Sequence, residues 1–196
     1  MDEKLLIYFE DIKDGTPQGS YLNEFAPKEA RNGICLHLVL TWFYNYKLAG
    51  GNTAPNIIWQ EMKNPTMIKQ IANNQMGYKR HNLRVGECIA LYKGLQYFGP
   101  IQGVLPNEIQ ELSGLLLAGT GKILYCIDLV KDNELVGRHA IGLIIHNNRV
   151  YLFEPNIGVL SCPVANRQEL LDKLRYIYEI KGDLQIREYE LYIIRN

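Results

Sequence analysis

The chain changes character at Gly119-Thr120-Gly121, and that change limits its fold more than any other feature. Ahead of it the apolar residues recur at helical spacing; beyond it come short runs rich in Ile, Leu, Val and Tyr. From Ile34 to Leu48 the spacing predicts one buried helix, carried by Leu36, Leu40, Phe43 and Lys47, and Gly50-Gly51 stops it. Shorter helical patterns cover Ile57–Met62, Thr66–Ala72, Val85–Tyr97 and Asn107–Leu117, the last opened by Pro106-Asn107. Strand-length runs follow at Lys122–Val130, Ala140–Ile145, Val150–Phe153 and Val159–Pro163, with His146-Asn147-Asn148-Arg149 as a hairpin turn. Asn166 is placed to cap a helix that turns Leu170, Leu171, Leu174, Ile177 and Tyr178 inward. Gly182-Asp183 ends that helix, and Leu184–Ile194 alternates like a closing strand. Near the start, Leu5–Phe9 reads as a short strand and Lys13–Ser20 as a loop. Helices first and antiparallel strands second predict an α+β fold rather than alternating βαβ units. The expected division is one domain over 1–196, with an extension at 1–30, a helical half at 31–118 and a sheet half at 119–196.

The 196 residues suffice for one hydrophobic core, and 47% apolar residues is too many for a disordered chain. Twenty-one basic and 21 acidic side chains cancel, so no net field draws the chain to nucleic acid or to an anionic membrane. The longest apolar run, Leu115-Leu116-Leu117-Ala118, is far short of a membrane span. The first residues lack the basic start and long apolar core of a secretory signal, so any export is expected to use another route. Cys35, Cys88, Cys126 and Cys162 are widely separated, which argues against a zinc cluster; no metal or cofactor is expected.

Of the four cysteines, Cys35 has a setting of its own, at the predicted start of the longest helix behind Gly33-Ile34. Unpaired amides and the positive dipole end there stabilise a thiolate and can donate to an oxyanion forming on a carbonyl. Cys88, Cys126 and Cys162 fall inside helix or strand patterns and read as small core residues. A thiolate nucleophile needs a positioned imidazole that also protonates the leaving group. His37 lies two residues from Cys35 on one helix, so the two side chains do not face each other. His81 lies in a polar stretch after Lys79-Arg80, and His146 stands at the hairpin turn. His139 enters the apolar strand Ala140–Ile145 and is the expected base. Across the hairpin, Glu154 is placed to accept from the imidazole and fix its tautomer, as an Asp does in a hydrolase triad. Trp42, at helical spacing from Cys35 and Leu38, reads as core packing, and Lys79, Arg80 and Arg84 as a solvated face.

Three segments carry a resemblance. Gly33-Ile34-Cys35, then Leu38 and Trp42, resembles the Gly-x-Cys-x-x-Leu-x-x-x-Trp signature of the YopT/AvrPphB family of papain-like effector proteases. His139-Ala140-Ile141-Gly142-Leu143 is similar to that family's histidine strand, and Phe153-Glu154-Pro155-Asn156-Ile157-Gly158 to its Phe-Asp-Pro-Asn-x-Gly motif. The segments are short, but their order and spacing run across most of the chain.

The resemblance implies a papain-like fold and a cysteine protease using Cys35, His139 and Glu154 on a specific target protein. It further implies delivery by a specialised bacterial secretion system without a cleaved signal peptide, and action in the target-cell cytoplasm. A cognate inhibitor, immunity protein or secretion chaperone would be further partners. The same thioester chemistry also serves glutamine deamidases, transglutaminases and amidases, and a catalytically decayed papain-like binding module is a third reading. Two departures bear on these alternatives. Glu154 stands where the family has Asp, and Asn156 could orient the imidazole instead, as an asparagine does in papain. No oxyanion side chain is evident upstream of Cys35; Asn32 is the nearest amide.

Overall fold

A computed structural model describes residues 6–8, 34–104, 114, 121–176, 178 and 184–195. Within them four helices come first: α1 (Cys35–Leu48), α2 (Pro55–Met62), α3 (Pro65–His81) and α4 (Val85–Ala90). Apart from β1 (Leu6–Tyr8), the strands follow: β2 (Gln96–Val104), β3 (Lys122–Lys131), β4 (Glu134–His146), β5 (Arg149–Glu154), β6 (Gly158–Pro163) and β7 (Gln185–Arg195). Helix α5 (Arg167–Arg175) lies between β6 and β7. Among the described residues the strands form one sheet in the order β1-β6-β5-β4-β3-β7-β2, antiparallel at every pairing.

Two hydrophobic layers cover the sheet. Helices α1–α4 pack on one face, where Leu124, Ala140, Ile144 and Phe153 meet Trp42, Phe43 and Trp59. Helix α5 covers the other, where Ile123, Tyr125, Ile141, Leu143 and Leu152 meet Leu170, Leu171 and Leu174. The period-two alternation of β3, β4 and β5 thus sends successive apolar side chains to opposite cores. Helix α1 is buried almost all round from Leu36 to Phe43, as suits a helix at the centre of its layer. Trp42 is fully buried and donates its indole N–H to the Pro55 carbonyl at 2.8 Å.

Gly142 explains how closely α1 approaches β4. A Cβ there would stand 2.8 Å from Val39 Cγ1 and 3.0 Å from Trp42 Cζ3. Gly142→Ala is therefore expected to cost about 1–3 kcal/mol, typical of overpacking a core. In a chain of this size each kcal/mol lowers Tm by about 2–4 °C, which thermal unfolding would register. An unchanged Tm would contradict this packing.

Several boundaries depart from expectation. Strand β4 begins at Glu134, not Ala140, because Asp132 and Asn133 adopt φ of 51° and 65° and close a tight β3–β4 hairpin. His139 therefore sits inside a strand rather than at its entrance. The His146–Arg149 hairpin is present, with φ of 49° at Asn147 and 60° at Asn148. The helix expected over Val85–Tyr97 ends at Ala90, and Gln96 onward forms β2 against the distant β7. The Thr66–Ala72 pattern belongs to a longer helix that runs to His81. Asn166 precedes α5 as expected, but its side chain donates to Glu169 instead of capping backbone amides. The Asn107–Leu117 helix (Gly114 excepted), the Lys13–Ser20 loop, Leu5, Phe9, Asn32, Gly33, Ile177 and Gly182-Asp183 lie outside the described residues.

Candidate active site

Cys35 is the first residue of α1, and among the described residues no side chain caps this helix start. Its leading amides have no acceptor within the helix, since the first intrahelical bond there runs from Leu38 N–H to the Ile34 carbonyl. Strand β4 supplies the facing wall. Among the described residues strand β5 pairs with β4 only from Gly142 to His146, so the β5-facing edge of β4 has no strand neighbour at Ala140. The Ala140 N–H turns instead to the Cys35 sulfur, as does the Leu36 N–H. A cysteine on a helix and a histidine on a strand meet at this open edge.

His139 shares its side of β4 with Ile141 and Leu143. Its Nε2 lies 2.5 Å from Glu154 Oε1, and the imidazole also hydrogen-bonds the Cys35 sulfur. Glu154 is fully buried and also accepts from the Tyr178 hydroxyl at 3.1 Å. Its position is set by a turn, Glu154-Pro155-Asn156-Ile157, closed by Ile157 N–H to the Glu154 carbonyl at 2.9 Å. Gly158 follows at φ 116°, a conformation that explains the glycine at the end of that motif. Asn156, the alternative orienter, makes no side-chain hydrogen bond to His139 among the described residues; Glu154 occupies that place.

The electrostatics favour an ion pair. Burial pushes the Cys35 thiol up, but the charge and hydrogen bond of His139 and the amides of Ala140 and Leu36 outweigh it, so its pKa lies below the ordinary value. Burial alone would lower the His139 pKa; the Cys35 thiolate and the Glu154 carboxylate reverse this and raise it. Both shifts favour the thiolate–imidazolium form of the pair. The other thiols differ. Burial pushes Cys88 up to about 12 and Cys162 up to about 11, and burial beside Cys35 and Glu190 raises Cys126 further.

The remaining histidines have other surroundings. His37 is fully buried between Tyr78 and Tyr92, with Nδ1 3.0 Å from the Tyr92 hydroxyl, and burial lowers its pKa to about 4. His146 Nδ1 meets the Tyr46 hydroxyl at 3.1 Å, and His81 is exposed at the end of α3. Among the described residues no three His, Cys, Asp or Glu side chains converge to hold a metal ion, and no helix is long and apolar enough to cross a membrane.

Cys35 and His139 open into a cavity of about 560 Å³ between the helical layer and the sheet. Helix α3 contributes Gln75, Tyr78 and Lys79; β2 contributes Gln102 and Gly103; β7 contributes Glu188, Tyr189 and Glu190. At the mouth Arg138 Nε pairs with Asp128 at 2.8 Å. Lys79, Arg80 and Arg84 are all exposed, as their spacing suggested, but Lys79 also borders the cavity. Tyr178 was legible only as an inward-facing residue; no sequence signal marked it as a partner of Glu154. Gln75 carried no signal at all.

No family profile and no curated protein match the chain. Among solved structures, the crystal structure of Pseudomonas avirulence protein AvrPphB superposes with a TM-score of 0.60 at 14% identity, covering 89% of this chain and 100% of that one. The fold is that of AvrPphB. Helices in the first half and an antiparallel sheet in the second are the layout that the hydrophobic periodicity predicted. The AvrPphB-like fold sets the helix start of α1 against β4, the junction where Cys35 and His139 meet.

Proposed function

We propose that this chain is a papain-like cysteine protease whose nucleophile is Cys35, whose acid–base group is His139 and whose imidazole is oriented by Glu154. One observation carries the reading: a cysteine at an uncapped helix start hydrogen-bonds a histidine whose Nε2 is held 2.5 Å from a fully buried carboxylate. The likeness to an avirulence protein and the motif resemblance support it and extend it to a secreted effector acting on a target protein inside another cell.

The chemistry follows from the arrangement. The Cys35 thiolate attacks a substrate carbonyl carbon, and the amides of the helix start stabilise the resulting oxyanion. His139, already protonated, gives its proton to the leaving amine as the tetrahedral intermediate collapses to a thioester. It then takes a proton from water, which attacks the thioester and frees the carboxylic acid and Cys35. Glu154 holds the ring in the tautomer these steps need and stabilises its charge.

The test is to treat eukaryotic cell extract with the wild type and with Cys35→Ala, and to map new protein N-termini while measuring ammonia. New N-termini from the wild type alone are expected. Ammonia without new N-termini would point to a deamidase or transglutaminase at the same site. Neither product, with Cys35 no more reactive than the other thiols, would leave a binding module that has kept the fold.

A further inference from the structure

Gln75 lines the cavity shared with Cys35 and His139, yet the residue is only 4% exposed and its Oε1 has no hydrogen-bond partner among the described residues. Buried amides are almost always paired, and an unpaired one weakens the folded state unless something else recommends it. Its neighbour one turn along α3, Tyr78, lines the same cavity and feels the charge of Cys35. The unpaired amide therefore belongs to the cavity wall, beside the space that a molecule bound to Cys35 would fill.

We propose that Gln75 is a substrate-binding residue whose carboxamide pairs with a main-chain peptide group of an extended polypeptide lying in the cavity. This deepens the hydrolase reading and rests on it. A primary carboxamide offers one acceptor and an adjacent pair of donors, which matches the N–H and C=O of a peptide chain. A charged ligand group fits less well. An anion would meet Glu188 and Glu190 and pair with Lys79 rather than with a neutral amide, and a cation would pair with those carboxylates. A main-chain contact also holds the scissile carbonyl in register with the sulfur whatever the side chains of the target.

Gln75→Met keeps the length of the side chain and removes both polar atoms. Two reagents then separate the roles: iodoacetamide, which reports the Cys35 thiolate alone, and a mixed-sequence peptidyl acyloxymethyl ketone. With the latter, Cys35 displaces the acyloxy group as a carboxylate, forming a C–S bond after the peptide portion has bound. In the variant, iodoacetamide labelling is expected to stay within about twofold of wild type, and Tm to stay the same or rise. The peptidyl reagent is expected to lose about three- to tenfold in its second-order rate, all of it in the concentration needed for half-saturation. A lower Tm with both reagents slowed together would make Gln75 a structural residue and overturn the proposal. So would an unchanged ratio of the two rates, or a wild type that shows no saturation by the peptidyl reagent while iodoacetamide labels Cys35 readily. Failure of Cys35 to react with either reagent would instead remove the hydrolase reading, and this proposal with it.

Discussion

Glu154→Gln is expected to keep the fold and to lower turnover by about 10²- to 10⁴-fold. The side chain keeps its size, and an amide can still accept from His139 and Tyr178, so the buried contacts persist. What is lost is the charge that helps hold the imidazolium. The Glu154 carboxylate is one of two groups raising the His139 pKa, the other being the Cys35 thiolate. Removing it lowers that pKa towards the value burial prefers. The alkaline limb of the rate profile, where His139 loses its proton, therefore moves to lower pH in the variant. Glu154→Asp retains more activity than Glu154→Gln, because the charge remains and only the reach shortens. Asn156→Ala is close to silent, since Asn156 makes no side-chain hydrogen bond to His139. Rates of Cys35 acylation by a thiol-directed substrate check all three. A damaging Asn156→Ala beside a silent Glu154→Gln would transfer the orienting role to Asn156.

Replacing His139 has the second large effect, and it needs a paired design. His139→Ala alone would strand the Glu154 carboxylate in a site with no exposure, a defect of about 3–5 kcal/mol that could unfold the chain. In a Glu154→Gln background that penalty is absent, so His139→Ala can be compared with Glu154→Gln directly. Without the imidazolium, burial dominates the Cys35 thiol and its pKa rises above the ordinary value. Below that pKa each unit of the rise removes about nine-tenths of the thiolate. Alkylation of Cys35 near about pH 6 should therefore drop by at least about tenfold, with Tm little changed. Equal alkylation rates in the two variants would mean that His139 does not activate Cys35.

How much of this could be read from the residues alone differs from element to element. Cys35 was marked by local information: an apolar helical pattern with a glycine before it, which places the sulfur at a helix start. The Asn147-Asn148 turn and the alternation around it brought β4 and β5 together, and with them His139 and Glu154. Strand β2 was missed, and its first two residues were counted as helix, because Gln96–Val104 becomes a strand by pairing with β7, whose register joins Gln96 to Arg195. Local propensity cannot register so distant a partner. Gln75 and Tyr178 were illegible for a related reason. Each occupies an ordinary inward position of its helix, and only the packing of α3 on α1, or of the α5 side on β5, turns it towards the site. The Glu154 hydrogen bond arises across the sheet rather than along the chain.

The central claim is that Cys35 is held as a thiolate by His139, and the rate of alkylation as a function of pH tests it most directly. Each of the four cysteines can be followed by mass spectrometry as iodoacetamide labelling proceeds in the native protein. Cys35 is expected to label first near about pH 6, with a rate that rises through a pKa below the ordinary thiol value, while Cys88, Cys126 and Cys162 stay unlabelled. Labelling of any of those three ahead of Cys35, or a Cys35 rate that rises only at or above the ordinary thiol value, would contradict the account.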